Sequence, residues 1–256
     1  AGQTLTIGSG VTVKTGAVGT NSSTSITSGA NGTLINQGTI SSETASRSLT
    51  VNLTNLTNSG TLAAKNGGTL TLGGSWDNSA GTISLDANAN STVNLGGAFT
   101  TAGLGTLSRG AGGLNGRVNI TGTLTNTGDT LLLDDTTGSL NLAGGTIVGG
   151  TIDTAVGSAS KLNITGDSTL SGGVTLASSL DVGSLSSNVT LTVNGGLTLD
   201  QASDEALTLF AANNAFSAHD ALRFNTGTLG GTGTVVLAPG TNATSLRMFI
   251  NAGQTL

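Results

Sequence analysis

One phrase keeps returning along this chain and constrains its fold more than any other feature: an apolar residue, Asn, one or more spacers, Gly, then Thr and Leu or Ile. It stands as Ile35-Asn36-Gln37-Gly38-Thr39-Ile40, as Asn58-Ser59-Gly60-Thr61-Leu62, as Asn78-Ser79-Ala80-Gly81-Thr82-Ile83 and as Asn119-Ile120-Thr121-Gly122-Thr123-Leu124. Looser copies start at Asn141, Asn163, Asn194, Asn225 and Asn251. The steps from Asn36 to Asn58 and on to Asn78 are 22 and 20 positions, the step to Asn119 is 41, or two turns, and the next two are 22 each. The later steps lengthen to 31, 31 and 26, which reads as loops inserted into single coils. A supersecondary unit recurring at this period cannot bury its apolar face alone and stacks on its neighbours, the signature of a solenoid.

Within each period apolar and polar residues alternate, as in Thr69-Leu70-Thr71-Leu72, Ser139-Leu140-Asn141-Leu142 and Val189-Thr190-Leu191-Thr192-Val193. Side chains of a strand point to opposite faces in turn, so one face is Leu, Val or Ile and the other Thr, Ser or Asn. Gly pairs such as Gly67-Gly68, Gly73-Gly74, Gly144-Gly145 and Gly195-Gly196 punctuate the strands and suit corners. Composition separates this chain from a disordered one, which is rich in charge and poor in β-branched residues. Here only 8% of residues are charged and 36% are hydrophobic, interleaved with Thr, Ser and Asn.

The expected fold is all-β: a single-stranded parallel β-solenoid with coils of about 20–22 residues and longer loops in the C-terminal third. Regular coils are expected over 1–199, an insertion or irregular lobe over 200–224, and a solenoid continuation over 225–256 that runs on into further repeats. About 11 coils at the ~4.8 Å strand spacing give a rod of roughly 50 Å. A narrow interior favours Leu, Val and Ile over large rings, in keeping with an aromatic content of 2%. The repeated Asn can stack as a ladder of side-chain amides or serve as plain turn residues. Residue 1 already lies inside the pattern, which reads as an excerpt from a longer precursor.

The Asn-x-Gly-Thr-Leu/Ile phrases resemble the repeats of filamentous-haemagglutinin-type adhesins. The segment from Leu229 to Gly240, Leu-Gly-Gly-Thr-Gly-Thr-Val-Val-Leu-Ala-Pro-Gly, followed by Ile250-Asn-Ala-Gly-Gln-Thr-Leu256, is similar to the strand repeats of autotransporter passenger domains. The resemblance extends over nearly the whole chain and implies a right-handed β-helix exported to a bacterial surface. The last five residues, Ala252 to Leu256, are identical to Ala1 to Leu5. Read literally, they make the chain one 251-residue unit of a tandem array, hence part of a fibre.

The chemistry available is sparse. With no Cys, the fold must draw its stability from a continuous core rather than from disulfides. A net charge of −5 argues against nucleic acid and against an anionic membrane surface. No uncharged apolar run approaches the roughly 20 residues of a membrane span. His219 is the only histidine, which leaves almost no material for a His-based metal site or a catalytic triad. It falls in the one stretch whose composition departs from the repeat. Asp204, Glu205, Phe210, Phe216, His219, Asp220 and Arg223 in that stretch form the candidate binding insertion, since long loops on a repeat scaffold carry function. The blander alternative is an insertion that packs its Phe residues over the coil edge.

Asp129, Asp134 and Asp135 could be calcium ligands, but Thr stands in Gly230-Gly231-Thr232-Gly233-Thr234 where the calcium-binding repeat needs Asp. Solvated turn carboxylates fit better. A polysaccharide lyase or glycosidase needs clustered carboxylates, and here no Asp pair recurs at coil spacing and the eight Lys and Arg are scattered. Ice binding would use ranks of Thr-x-Thr, and Thr4/Thr6, Thr69/Thr71, Thr123/Thr125 and Thr190/Thr192 have that form. They lie more than one coil apart and do not form an unbroken rank. The expected role is passive: an extracellular, cell-surface shaft or fibre with no catalysis and no cofactor, whose partners are other copies or adjacent repeats end to end. The alternatives are an adhesin that binds a surface glycan or protein through 200–224, and a polysaccharide-active β-helix.

Overall fold

The computed structural model describes residues 2–16, 23–87, 90–109, 116–183, 189–210, 221–238 and 247–250. These residues form short β-strands, with one 3₁₀ turn at Ala102–Leu104. The chain divides into two compact units, 1–123 and 124–256, and each is a parallel β-solenoid.

In the first unit each coil runs through three faces. The second face shows the plan most simply. Thr12–Lys14, Thr39–Ser42, Thr61–Ala64, Thr82–Leu85 and Thr106–Arg109 lie side by side as a five-stranded parallel sheet. Their alternation puts Ile40, Leu62, Ile83 and Leu107 inward in one row, each 5% exposed or less. The third face stacks Ser23–Thr27, the front of Ser48–Asn58, the front of Thr69–Asp77, Thr92–Leu95 and Arg117–Ile120. It contributes two inward rows, Leu49-Leu70-Val93-Val118 and Val51-Leu72-Leu95-Ile120. The first face stacks Thr4–Ile7 on Thr33–Asn36 and the rear of Ser48–Asn58. Each buried Leu or Ile contributes roughly 1.5–3 kcal/mol, and because the rows are continuous every coil depends on its neighbours.

The interior is not wholly aliphatic. Trp76, in register with Leu56, stacks on Phe99 with ring centroids 4.3 Å apart and donates its indole N–H to the Gly96 carbonyl at 2.8 Å. The narrow-core expectation therefore meets an exception here, made possible because the polar end of the indole finds a partner.

The second unit repeats the plan. One sheet holds Thr130–Leu133, Thr151–Thr154, Val174–Leu176, Leu197–Asp200 and Leu229–Thr232. A second face holds Leu140–Ala143, Leu162–Gly166, Leu180–Val182, Leu207–Phe210 and Val235–Ala238. A third holds Thr146–Val148, Ser168–Ser171, Thr190–Asn194, Ala221–Thr226 and Arg247–Ile250. Coil length varies: Ile164 faces Val182, 18 residues on, whereas Leu199 faces Gly231, 32 residues on. The expected lengthening toward the C-terminus is present, but the steps differ from those counted on Asn.

The 200–224 segment supplies two strands of the regular coil. Leu207–Phe210 pairs with Leu180–Val182 and Val235–Ala238, and Ala221–Thr226 pairs with Thr190–Asn194 and Arg247–Ile250. Leu207, Leu209, Leu222 and Phe224 are core residues with no exposed surface. The unusual composition of the stretch had concealed strands whose inward positions still alternate.

Candidate functional site

The most distinctive chemistry lies inside the first unit, where the Asn of the repeated phrase closes each first face. Asn36, Asn58 and Asn78 are buried, at 0%, 1% and 0% exposure. The Asn36 Nδ2 donates to Asn58 Oδ1 at 2.5 Å, and Asn58 Nδ2 donates to Asn78 Oδ1 at the same distance. Asn78 Nδ2 ends the row on the Leu104 carbonyl at 2.7 Å, in the 3₁₀ turn. Each amide also donates within its own corner: Asn36 to Gly38 O, Asn58 to Gly60 O and Asn78 to Gly81 O. Ladder and turn, alternatives from sequence, are thus made by the same nitrogen. The Gly of the phrase lets the corners approach. A Cβ on Gly81 would stand 2.2 Å from Asn58 Nδ2 and 2.6 Å from Asn78 Oδ1.

The other Asn of the series do not continue this row. Asn119 stands on the third face beside Asn94 and donates to its Oδ1 at 2.9 Å, and Asn94 donates to Thr71 Oγ1 at 3.1 Å. Asn141 and Asn163 pair in register in the second unit, Asn163 Nδ2 donating to Asn141 Oδ1 at 3.2 Å. These four Asn are half-buried and point outward, because they alternate with inward Val, Leu and Ile. Asn194 lies beside Ser171 and, after a register shift that passes over Asn225, beside Thr226. The single series counted from sequence is therefore two kinds of position. Equal spacing on different faces made them look alike. Asn251 lies outside the described residues.

Asn126 was missed. It is fully buried and donates to the Thr151 carbonyl at 2.9 Å and to the Gly149 carbonyl at 3.3 Å. Its signal is the same phrase, Asn126-Thr127-Gly128-Asp129-Thr130-Leu131, with one residue inserted after Gly.

The Thr of the phrase also forms a row that the Thr-x-Thr pairs did not indicate. Thr12, Thr39, Thr61, Thr82 and Thr106 stand in register in the first unit, and Thr130, Thr151, Thr175 and Thr198 in the second, interrupted next by Gly230. The pairs themselves lie on other faces: Thr69/Thr71 stands beside Thr92/Asn94, and Thr192 beside Thr169. Thr rows on outward positions suit a pleated, half-buried surface.

Ionisable groups are used at loops. Glu43 pairs with Lys14 at 3.2 Å and Lys65 at 3.7 Å. Partial burial acts to raise its carboxyl pKa, but the Ser41 side chain and the two ammonium groups outweigh it and hold the value below the ordinary 4.5. A carboxyl depressed in the folded state stabilises above its ordinary pKa, and that stabilisation is lost as pH falls through the lowered value. Denaturant midpoints at pH 7 and about pH 3 should accordingly fall less for Glu43→Gln than for the wild type, by under about 1 kcal/mol because the pairs are solvent-facing. Asp134 closes a turn, accepting from the backbone N–H groups of Thr137 at 2.6 Å and Thr136 at 2.9 Å, bonds that lower its pKa. Asp135 accepts from the Ser158 hydroxyl at 2.6 Å. Among the described residues no three His, Cys, Asp or Glu side chains come together in a way that could hold a metal ion.

The residues singled out in 200–224 are dispersed. Asp204 is exposed in a turn that Glu205 closes by accepting the Ala202 N–H at 2.9 Å. Phe210 is half-buried at a strand end, and Phe224 is in the core. Arg223 is exposed, its guanidinium 5.4 Å from the Phe249 ring, with Arg247 5.7 Å from the same ring. Phe216, His219 and Asp220 lie outside the described residues. No protein-family model matches the chain, and no similar protein was found among curated proteins or solved structures. Fold and side-chain rows alone therefore define the class: a parallel β-solenoid repeat protein.

Proposed function

We propose that this chain is a passive structural element, a length of right-handed β-helix that serves as a bacterial cell-surface shaft or fibre, of the type the filamentous-haemagglutinin and autotransporter repeats suggest. The observation that carries this reading is the row Asn36-Asn58-Asn78: three buried amides of the first unit are spent on holding one coil to the next. Groups so engaged are unavailable for catalysis, and a buried, hydrogen-bonded amide row favours one rigid stacking register. Load on such an element is shared among many parallel backbone bonds.

End-to-end association of copies fits the fibre form. The association proposed is non-covalent. Electron microscopy of the concentrated protein should show unbranched filaments, and isolated particles at every concentration would overturn the fibre form.

A second reading, an adhesin, is favoured by the exposed Arg223–Phe249–Arg247 cluster, a cation–π arrangement that could take an acidic glycan or peptide. Attachment to cells that disappears in an Arg223→Ala/Arg247→Ala variant of unchanged stability would establish it in place of the shaft. Turnover of any acidic or neutral glycan by the wild type would establish the enzymatic alternative.

A further inference from the structure

The two units carry opposite charge. The first holds five Lys and Arg against three Asp and Glu, the second three against ten. Solubility alone is served by interleaving both signs.

The charges gather at one corner of the coil, where the chain leaves the five-stranded sheet for the next face. In the first unit this corner carries all five cations. Lys14 and Arg109 end sheet strands, Lys65 follows one, and Arg47 and Arg117 stand where the next face begins. Glu43 and Asp86 are the two carboxylates among them. Successive coils meet directly here: Lys65 N–H donates to the Ser42 carbonyl, Asp86 N–H donates to the Ala64 carbonyl, and Glu43 pairs with both Lys14 and Lys65.

In the second unit the corner that leaves the five-stranded sheet carries Asp134, Asp135, Asp200, Asp204 and Glu205. Its one cation, Lys161, pairs with Asp181 of the neighbouring strand at 3.3 Å. Asp135, Asp200 and Asp204 are exposed, as are Lys14 and Arg117 on the basic edge. Coils stack about 4.8 Å apart, inside the Debye length of about 10 Å at 0.1 M salt, so each edge acts as one field.

We propose that the two edges are a matched docking pair for a second copy of this chain, the basic corner of one copy's first unit lying along the acidic corner of its partner's second unit. Corners line the flank of a coil stack and not its ends, so the contact is lateral. It is distinct from the end-to-end association proposed above and does not rest on it. Complementary charge selects the partner and the pairing of unit with unit. Exposed ion pairs are weak singly and screened by salt, so the association is reversible and salt-sensitive.

Sedimentation of the intact chain should show self-association at about 0.02 M salt, with a dissociation constant that rises about tenfold or more by about 0.3 M. Lys65→Glu/Arg117→Glu reverses the first edge and leaves the Lys14–Glu43 pair in place. Asp135→Lys/Asp200→Lys/Asp204→Lys reverses the second. Neither variant should self-associate, since each then presents two edges of one sign. Mixed, the two should associate as the wild type does, because every edge again meets its opposite. A wild type that stays monomeric in low salt overturns the proposal whether or not the variants fold. So does self-association indifferent to salt, or a pair of folded variants that stay apart when mixed.

Discussion

Asn58→Ala is expected to destabilise the first unit by roughly 2–5 kcal/mol, measured by chemical denaturation. Asn58 is the middle rung. Its Oδ1 receives Asn36 and its Nδ2 supplies Asn78, so truncation strands one amide on each side in a region with no access to water. Each stranded group costs about 1–3 kcal/mol. The matched change on the outer row, Asn119→Ala, removes an equally well-formed bond to Asn94. There both partners are half-buried and water replaces the lost contact, so the loss should stay below about 1 kcal/mol. Equal losses in the two variants would show that burial does not govern the value of these bonds.

Gly60→Ala should be at least as damaging, and for a different reason. Its backbone is not in the left-handed region, so no conformational strain is involved. The obstacle is space: a Cβ would lie 2.1 Å from the Gly38 carbonyl oxygen and 2.6 Å from the Gln37 carbonyl carbon. Both are backbone atoms of the coil below, and no side-chain rotation relieves the overlap. The coils would have to part locally, weakening the Thr61 N–H to Gly38 O bond and the amide row beside it. A loss of about 3 kcal/mol or more is expected, beyond ordinary overpacking. Gly10→Ala is the control, because nothing lies within 4 Å of the added carbon. It should shift stability by no more than about 0.5 kcal/mol. Similar effects at the two positions would mean that the corners are looser than their geometry indicates.

The alternation Thr69-Leu70-Thr71-Leu72 was enough to indicate a strand with Leu70 and Leu72 inside, and both are fully buried. Parallel stacking followed from a period too short for an independent core. What could not be read was which face each Asn occupies. Asn78 and Asn119 are separated by about two coils, yet one closes a buried corner and the other points outward from mid-strand. The difference lies in the phase of alternation around them. Asn119 sits between Val118 and Ile120, both inward, so it must face out, whereas Asn78 follows Trp76 by two and shares its inward side. That phase was legible residue by residue. It was lost when the phrase was counted as one unit. Asn126 escaped for a related reason, because an extra residue after its Gly disguised the phrase. The 200–224 segment misled through composition: Phe, Asp and His drew attention from Leu207, Leu209, Leu222 and Phe224, which keep the strand alternation.

Coil length has a consequence for how such a chain can vary over evolutionary time. Ile164 and Val182 pair across 18 residues within a row that runs from Leu142 to Leu237, and Leu199, stacked on Leu176, pairs with Gly231 across 32. The corners take up the difference, since connecting segments at the surface tolerate length change while strands do not. Duplications and deletions confined to corners would therefore pass largely unselected for stability, whereas a single residue gained within a strand would turn its inward side chains outward. Lineages of this protein should differ chiefly in corner length, and their outward loops, rather than their coils, would be the raw material for new recognition.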